Sequence, residues 1–202
     1  VHVVQSLARH RAEGLPLLRW LSERIWPYEA ALSPQEVAAA ARLGIAELLA
    51  GGTTAALDMG TTHDQGLVFG AAKDLGIRLS SGKCHMDVGE SAPPGLIEDR
   101  DASLAEAEAL GSCWHGSCAG RLRYAVAPRF VLSCSTGLLT GAVELARRNG
   151  YLLHTHASEN ADETRAVREL TGMGNVAALA QAGIAGPDVV LAHCVHLEET
   201  EV

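Results

Sequence analysis

Short apolar runs alternate with helical stretches along most of the chain. Runs typical of β-strands lie at 53–59, 77–86, 122–126, from Tyr151 onward and at 189–193. Helices are predicted at 15–21, 33–50, 64–75, 101–114 and 136–148. The second of these opens with Ser33-Pro34-Gln35-Glu36, a typical helix start, and ends at Gly51-Gly52. Strand and helix thus alternate about six times at spacings of ~25–40 residues, which is the pattern of βαβ units in a parallel sheet.

This alternation predicts an α/β protein of the TIM-type (β/α)8 barrel class. A complete barrel needs about 250 residues, whereas this chain has 202. Val1 to Val4 has the pattern of a strand that is already under way, so the chain is expected to start inside an element. We therefore expect residues 1–202 to be one partial barrel of about six strand–helix units, without the start of strand 1 and without strands 7 and 8. No Gly-, Ser- or Pro-rich linker predicts a domain boundary.

Polar side chains that can bind metal recur where the predicted strands end. His154 and His156 are two residues apart, so on a strand they point to the same side, and Glu159 follows in the next loop. The residues at the other strand ends are His2, Asp58, His63, His85, Asp87, Arg129 and His193. In a barrel these ends meet at one mouth. Three imidazoles from different strands, with a carboxylate, suit Zn²⁺ or a similar ion.

Composition and charge narrow the classes of partner. Apolar residues make up 48% and charged residues 20% of the chain, as in soluble globular proteins. A net charge of −8 argues against nucleic-acid binding, which needs a basic face. No apolar run reaches the ~18 residues of a membrane span, and the start lacks a signal-peptide pattern. Five scattered cysteines fit reduced thiols. We expect a soluble, cytoplasmic protein with no nucleic-acid or membrane partner.

Eight short motifs, in barrel order, carry a resemblance to a known family. They are HVVQ at 2–5, LPLLRWL at 15–21, IWPYE at 25–29, GTT at 52–54, GKCHMD at 82–87, APRFVLSCS at 127–135, HASEN at 156–160 and AH at 192–193. Together they resemble the amidohydrolase superfamily, in particular its deaminase branch of guanine deaminases, adenosine-type deaminases and s-triazine hydrolases. The resemblance extends over essentially the whole chain.

The resemblance implies one divalent metal ion, Zn²⁺ or, as an alternative, Fe²⁺. His2 resembles the second His of a first-strand pair whose other member would precede Val1, and His156 resembles the fifth-strand ligand. The eighth-strand Asp of the family would follow residue 202, so this chain is not expected to hold a full metal site. His193 resembles a sixth-strand His that orients the attacking water and is sometimes counted as a ligand. His154 could bind metal by its spacing, but a supporting or packing role is favoured.

The resemblance also suggests catalytic and substrate-binding residues. Glu159 is expected to give a proton to a ring nitrogen of the substrate. Gln5, Arg129 and Phe130 resemble guanine deaminase positions that contact the purine, whereas Glu29 resembles the carboxylate that holds ribose hydroxyls in adenosine-type deaminases. Two structural alternatives stay open, namely that Arg129 forms a surface ion pair and that Glu29 is a solvated acid beside a helix. Trp20 and Trp26 are expected to pack or to wall the pocket.

We expect the function to be hydrolytic deamination of an aromatic amino-heterocycle, a purine base or nucleoside derivative, with release of ammonia. One alternative is an s-triazine chloro- or aminohydrolase or a cyclic-amide hydrolase. Another is a barrel fragment without catalysis of its own. The expected partners are a small heterocyclic substrate and further copies of the same chain in a homo-oligomer.

Overall fold

A computed structural model describes residues 1–201. Its strands are β1 (Ala55–Met59), β2 (Arg78–Gly82), β3 (Cys84–His85), β4 (Leu122–Pro128), β5 (Leu152–Ala157) and β6 (Val189–His193). Its α-helices are α1 (Leu17–Trp20), α2 (Trp26–Ala31), α3 (Pro34–Ala50), α4 (Gln65–Leu75), α5 (Arg100–Trp114), α6 (Ser117–Gly120), α7 (Thr136–Asn149), α8 (Ala161–Thr171) and α9 (Asn175–Gln181). Apart from the strand predicted at Val1 to Val4, the predicted strands and the main predicted helices are present, most of them within two residues of the expected bounds.

The strands form one parallel half-barrel with helices packed outside it. The order across the sheet is β1-β2-β4-β5-β6, and β3 pairs with β4 beside this path. Every pairing is parallel; for example, Thr155 lies opposite Leu191, and Ala157 lies opposite His193. The C-terminal strand ends therefore lie at one mouth, which confirms the predicted fold class as a fragment of a TIM barrel.

The helix that begins at Pro34 shows why the sequence pattern was reliable there. The Ser33 hydroxyl accepts a hydrogen bond from the Glu36 N–H, and the Glu36 carboxylate accepts one from the Ser33 N–H at 2.8 Å. This reciprocal capping box satisfies two backbone donors that the first turn would otherwise leave free. The helix, whose buried face includes Val37 and Ile45, packs against the segment Val3–Ala8, which directly follows His2.

The start of the chain corrects one prediction. Only Val1 pairs like a strand, since its nitrogen donates to the Leu57 carbonyl and its carbonyl accepts from the Met59 N–H. The backbone then turns into a 3-10 helix, Val3–Ala8. The ladder stops because the Val3 N–H donates to the Asp58 carboxylate at 2.9 Å instead of to a strand carbonyl. The prediction of a strand across Val1 to Val4 is thus wrong after the first residue.

The helix predicted at 15–21 is longer than its sequence pattern indicated. It continues from α1 through a π-helical turn, Leu21–Ile25, into α2, and Pro27 lies in the first turn of α2. Pro cannot donate a backbone hydrogen bond and would interrupt a regular helix. The π turn, in which the Trp26 N–H donates to the Leu21 carbonyl, precedes this position. The predicted helix ends too early because, in the sequence, this interruption indicates the end of a helix.

Two apolar clusters position the mouth of the half-barrel. The larger cluster lies between sheet and helices and includes the fully buried side chains of Phe69, Tyr124 and Leu138. The smaller cluster lies beneath the loops of the mouth and includes Trp26 and Phe130. Burial of each large side chain contributes about 1.5–3 kcal/mol. Within residues 1–201 no helix has both the length and the apolar character needed to cross a bilayer.

Candidate active site

Three histidines from separate segments meet at the mouth of the half-barrel. His2 follows the residue that pairs with β1, His156 lies near the end of β5 and His193 ends β6. The ring centroids of His2 and His156 are 5.2 Å apart, and those of His156 and His193 are 5.4 Å apart. Parallel register brings the last two together, because Ala157 lies opposite His193. The structure therefore gathers the three imidazoles that the sequence had singled out.

The His2 and His156 rings present nitrogens at the spacing of two ligands to one ion. Their Nε2 atoms are 3.1 Å apart, and His156 Nδ1 lies 2.9 Å from the Arg129 carbonyl oxygen. We assign the proton of His156 to Nδ1, which leaves the Nε2 lone pair free to bind metal. Two nitrogens on one tetrahedral zinc ion, each at 2.0–2.1 Å, would be separated by roughly 3.3 Å. The two imidazoles therefore fit a divalent cation.

Burial keeps both rings in the neutral form that binds metal. Burial, together with the neighbouring His156, lowers the pKa of His2 well below its usual value. Burial also lowers the pKa of His156 to about 4. Neutral imidazole is the ligand form, since a protonated ring has no lone pair to donate. Among residues 1–201 no group of three or more His, Cys, Asp or Glu side chains has the geometry of a metal site. The described residues thus supply two candidate ligands.

Glu159 and His193 face each other across the same space. The Glu159 Oε2 atom lies 3.4 Å from His193 Nε2. Burial raises the pKa of Glu159; the neighbouring Glu163 raises it further, and His193 opposes the shift. A carboxyl with a raised pKa is suited to donate a proton near neutral pH. The backbone is left-handed at Ser158 (φ 51°) and His193 (φ 73°), and such conformations in non-Gly residues concentrate at functional sites.

Arg129, Glu29 and Gln5 form a buried polar chain at the edge of the site. Arg129 donates to Glu29 Oε2 at 2.6 Å, and Gln5 Nε2 donates to Glu29 Oε1 at 2.9 Å. The side chains of Arg129 and Glu29 are only 4% and 10% exposed. Burial lowers the pKa of Arg129, but Glu29 more than offsets this, so the guanidinium stays charged. The alternatives of a surface ion pair and of a solvated acid are therefore both wrong.

A cavity of about 160 Å³ connects these groups. Its lining residues are His2, Gln5, Leu17, Trp20, Leu21, Arg129, Phe130, His156, Glu159 and His193. Trp20 thus forms part of the wall, whereas Trp26 is buried in the apolar cluster beneath the mouth. Seven of the eight residues singled out as ligands, catalytic groups or substrate contacts line the cavity. The eighth, Glu29, reaches it through Arg129 and Gln5.

The other polar residues of the strand ends lie outside this cavity. Asp58 is buried and accepts hydrogen bonds from Val3 and Ser81. His85 is buried on the outer side of the sheet, where its Nδ1 lies 2.8 Å from the Ser103 hydroxyl. Asp87 accepts a hydrogen bond from the Ser135 N–H at the start of α7. The structure assigns structural contacts to these three.

Two further histidines also stay apart from the cavity lining. His63 contacts the Gly95 carbonyl. His154 is buried, its ring centroid lies 6.3 Å from that of His156, and its Nδ1 has no hydrogen-bond partner within residues 1–201. The packing role favoured for His154 agrees with this placement.

Sequence reasoning missed Glu163 and Asn175. Both side chains are fully buried, and Glu163 contacts the backbone of Glu159. The signal for Glu163 is present in the sequence, because Asn160 and Glu163 have the spacing of a capping box at the start of α8. Asn175 is brought to Glu163 by α9, and no local pattern predicts that contact.

Comparison with known proteins identifies the family of this chain. The model of the amidohydrolase family matches residues 1–202. The chain belongs to the amidohydrolase family. It is 35% identical over 201 residues to the 5'-deoxyadenosine deaminase of Methanothermobacter thermautotrophicus, covering all of this chain and 45% of that protein. It is 32% identical over 201 residues to a 5-methylthioadenosine/S-adenosylhomocysteine deaminase of Pelotomaculum thermopropionicum, covering 44% of that protein.

Solved structures of the family share the fold. Guanine deaminase of E. coli superposes with a TM-score of 0.92 at 34% identity, and the match covers all of this chain and 47% of the enzyme. The zinc-complexed atrazine chlorohydrolase TrzN of Arthrobacter aurescens TC1 superposes with a TM-score of 0.89 at 24% identity, covering 99% of this chain and 48% of that one, and shows the fold alone. The chain therefore spans less than half the length of these relatives.

Proposed function

We propose that the whole protein is a metal-dependent deaminase of an amino-substituted heterocycle, a purine base or a nucleoside derivative, and that it releases ammonia. The observation that carries this proposal is the convergence of His2, His156, His193 and Glu159 on one cavity. The named relatives support it, because they are deaminases of adenosine derivatives and of guanine. The bond broken would be a C–N bond outside a peptide.

His2 and His156 would hold the divalent ion, for which we propose Zn²⁺, with Fe²⁺ as the alternative. Their paired Nε2 atoms and their lowered pKa values support this assignment. When bound, a divalent cation acts as a Lewis acid that lowers the pKa of a water molecule to about 7. The hydrogen bond between His156 Nδ1 and the Arg129 carbonyl fixes the orientation of the His156 ring.

Glu159 would hold and deliver the proton that the ring nitrogen needs. Its carboxyl lines the cavity, and its raised pKa keeps a larger fraction protonated near neutral pH. His193 would orient the attacking oxygen from the opposite side, since its Nε2 faces Glu159 at 3.4 Å. Hydrogen-bond reach to the substrate is the condition for both roles.

Arg129, Gln5 and Phe130 would bind the heterocycle. Arg129 and Gln5 carry hydrogen-bonding groups at the cavity wall, and the aromatic face of Phe130 can cover a flat ring. Both oxygens of Glu29 are occupied by Arg129 and Gln5. This occupancy favours a base bearing a carbonyl over a ribose, whose hydroxyls would have to displace Arg129 or Gln5 from the carboxylate.

A substrate panel tests the proposal. Zinc-loaded whole protein is incubated with guanine, 5'-deoxyadenosine, S-adenosylhomocysteine and s-triazines, and ammonia, chloride and alkylamine are measured. We expect ammonia from at least one purine. Release of chloride or alkylamine from a triazine alone would favour the s-triazine hydrolase alternative, and no product from any compound would contradict the proposal. The same panel on the 202-residue chain tests the alternative of an inactive fragment.

Assembly and location are separate proposals. We propose a homo-oligomer in the cytoplasm that uses a small heterocyclic substrate and contacts neither nucleic acid nor membrane. Light scattering of the whole protein tests the subunit number, and a monomer at micromolar concentration would contradict the first part. Cell fractionation tests the location, and recovery in the membrane fraction would contradict the second part.

A further inference from the structure

Glu163 is a buried carboxylate whose two oxygens are both occupied. Oε2 accepts the Glu159 N–H at 2.8 Å and the Asn160 N–H at 3.3 Å. Oε1 accepts the Asn175 side-chain N–H at 2.6 Å. Neither Glu163 nor Asn175 has exposed surface. The carboxylate therefore connects the loop that carries Glu159 to helices α8 and α9.

We propose that Glu163 is a positioning residue, which holds the backbone of Glu159 so that the Glu159 carboxyl faces His193 and the cavity. The proposal rests on the proton-transfer role proposed for Glu159. Glu163 is not among the residues that line the cavity, so we expect its effect on catalysis to pass through Glu159.

A second capping box in the same chain shows that helix capping alone does not explain this arrangement. Ser33 and Glu36 start α3 with the same reciprocal pair of bonds, but Glu36 is exposed to solvent. Burial of a carboxylate is costly unless its oxygens are hydrogen-bonded. At Glu163 the stronger contact goes to Glu159, one residue before the cap, at 2.8 Å, while the cap N–H is 3.3 Å away. The buried carboxylate is thus directed at Glu159.

The residue before Glu159 is held from the other side. The Ser158 carbonyl accepts the N–H groups of Val195 and His196, and the Ser158 backbone is left-handed. These bonds tie the loop after β5 to the segment that follows His193. Glu163 supplies the complementary restraint at Glu159 and Asn160. The loop is therefore fixed at both ends of the Glu159 residue, which pre-organises its side chain for catalysis.

The test compares two matched variants, Glu163→Met and Glu36→Met, in zinc-loaded whole protein. Methionine keeps the length of the side chain but has no oxygen acceptor, so with this change at position 163 the N–H groups of Glu159 and Asn160 lose their partner. We expect kcat to fall about 10- to 100-fold, as for a small misplacement of a catalytic group, while KM changes less than about threefold. Glu36→Met loses the same kind of cap and should change neither constant.

Two further variants show whether the effect passes through Glu159. In Glu163→Gln the carboxamide oxygen at position 163 can still accept the Glu159 N–H. The NH2 group beside it can donate to Asn175 once that residue turns its amide oxygen, which has no hydrogen-bond partner within residues 1–201, toward position 163. We expect Glu163→Gln to retain most of the kcat that Glu163→Met loses. In a Glu159→Gln background, adding Glu163→Met should cause no further loss. Equal losses in Glu163→Gln and Glu163→Met, or additive losses in the double variant, would overturn the proposal.

Amide exchange separates this proposal from the proposed function. Hydrogen exchange of the Glu159 amide is expected to be slow in the wild type and in Glu163→Gln, and at least about tenfold faster in Glu163→Met. A wild type without deaminase activity would remove the proposed function, and equal exchange rates in wild type and Glu163→Met would remove the positioning role. If Glu163→Met does not fold, Glu163→Gln and the wild type provide the comparison: rapid exchange in both overturns the proposal.

Discussion

Three histidines at the mouth of the half-barrel differ from a fourth, on the outer side of the sheet, in the direction of their side chains. His2, His156 and His193 face the inside of the half-barrel and line one cavity. His85 ends β3 but faces helix α5 on the outside, where it contacts Ser103. All four are imidazoles at or directly after strand ends, so the residue type alone does not decide whether a histidine reaches the site. The side chain must face the inside of the half-barrel. It must also lie near the end of the strand, because the histidine two residues before His156 shares its face but does not line the cavity.

The outer side of the sheet and the mouth of the half-barrel each also contain a buried ion pair. Lys83, which is fully buried, donates to Glu98 at 2.6 Å and also pairs with Glu106, on the α5 side of the sheet. Arg129 pairs with Glu29 beside the cavity. Since Lys83 lies away from the cavity, its pair should contribute to stability alone. The Arg129 pair should contribute to both stability and substrate binding.

The largest expected effect is that of Glu159→Gln in the whole protein. Loss of the acidic proton should reduce kcat by roughly 10²- to 10⁴-fold, the usual contribution of a general acid. Zinc content, measured by atomic absorption, should stay the same because Glu159 is not among the proposed ligands. Undiminished turnover would show that the proton comes from another group.

Lys83→Met should destabilise the protein without altering its catalytic constants. Removing the buried ammonium leaves Glu98, only 13% exposed, without its main partner. Breaking a buried ion pair costs about 3 kcal/mol in unfolding free energy. Urea denaturation measures this loss, and kcat/KM at low temperature, where the variant is folded, should equal that of the wild type. A fall of about tenfold in kcat/KM, which corresponds to ~1.4 kcal/mol of lost transition-state stabilisation, would contradict the separation of the two regions.

Glu29→Gln should lower both the unfolding free energy and the affinity for substrate. The loss of unfolding free energy should be smaller than in Lys83→Met. The carboxamide keeps hydrogen-bonding groups near Arg129 and Gln5 but removes the charge that offsets the buried guanidinium. We expect a loss of about 2 kcal/mol in unfolding free energy, below the full cost of breaking a buried pair, and a rise in KM for a purine base. An unchanged KM together with lost activity toward nucleosides would instead indicate that Glu29 holds ribose.

The last expected effect is a change in the pH dependence of stability in His85→Phe. Burial lowers the pKa of His85 to about 3, whereas an unfolded histidine titrates near pH ~6.5. The unfolded chain thus binds the proton more readily, and the stability contributed by neutral His85 is lost as the pH falls from about 6.5 toward 3. In His85→Phe the unfolding free energy should fall less between about pH 7 and pH 4. His10→Gln, which removes an exposed imidazole, serves as the control; an equal acid dependence in wild type and His85→Phe would contradict the assignment.

The sequence predicted the fold well because local patterns and tertiary packing agree in the regular elements. The bounds of β6 at 189–193 and of the helix after Ser33 follow directly from an apolar run and a capping box. The prediction of a strand at Val1 to Val4 was wrong because a side chain distant in the sequence accepts a backbone hydrogen bond there. Asp58, 55 residues away, accepts the Val3 N–H, and the strand pairing that begins at Val1 ends.

The residues of the site could be named from the sequence, but their contacts could not. Parallel register brings His156 beside His193, and a barrel prediction anticipates that much. The pairing of Arg129 with Glu29 joins residues 100 positions apart. No periodicity in the sequence predicts such a pair. Because of this pairing, two residues that could have been solvated belong to a buried network instead.

We propose that His2 and His156 direct their Nε2 atoms at one ion and that His85 does not. Long-range imidazole NMR spectra of the ¹⁵N-histidine-labelled whole protein, recorded without metal and with one equivalent of Zn²⁺, test it directly. We expect the Nε2 resonances of His2 and His156 to shift together and those of His85 to stay in place. Unchanged His2 and His156 resonances with zinc bound, or a shift at His85, would contradict it.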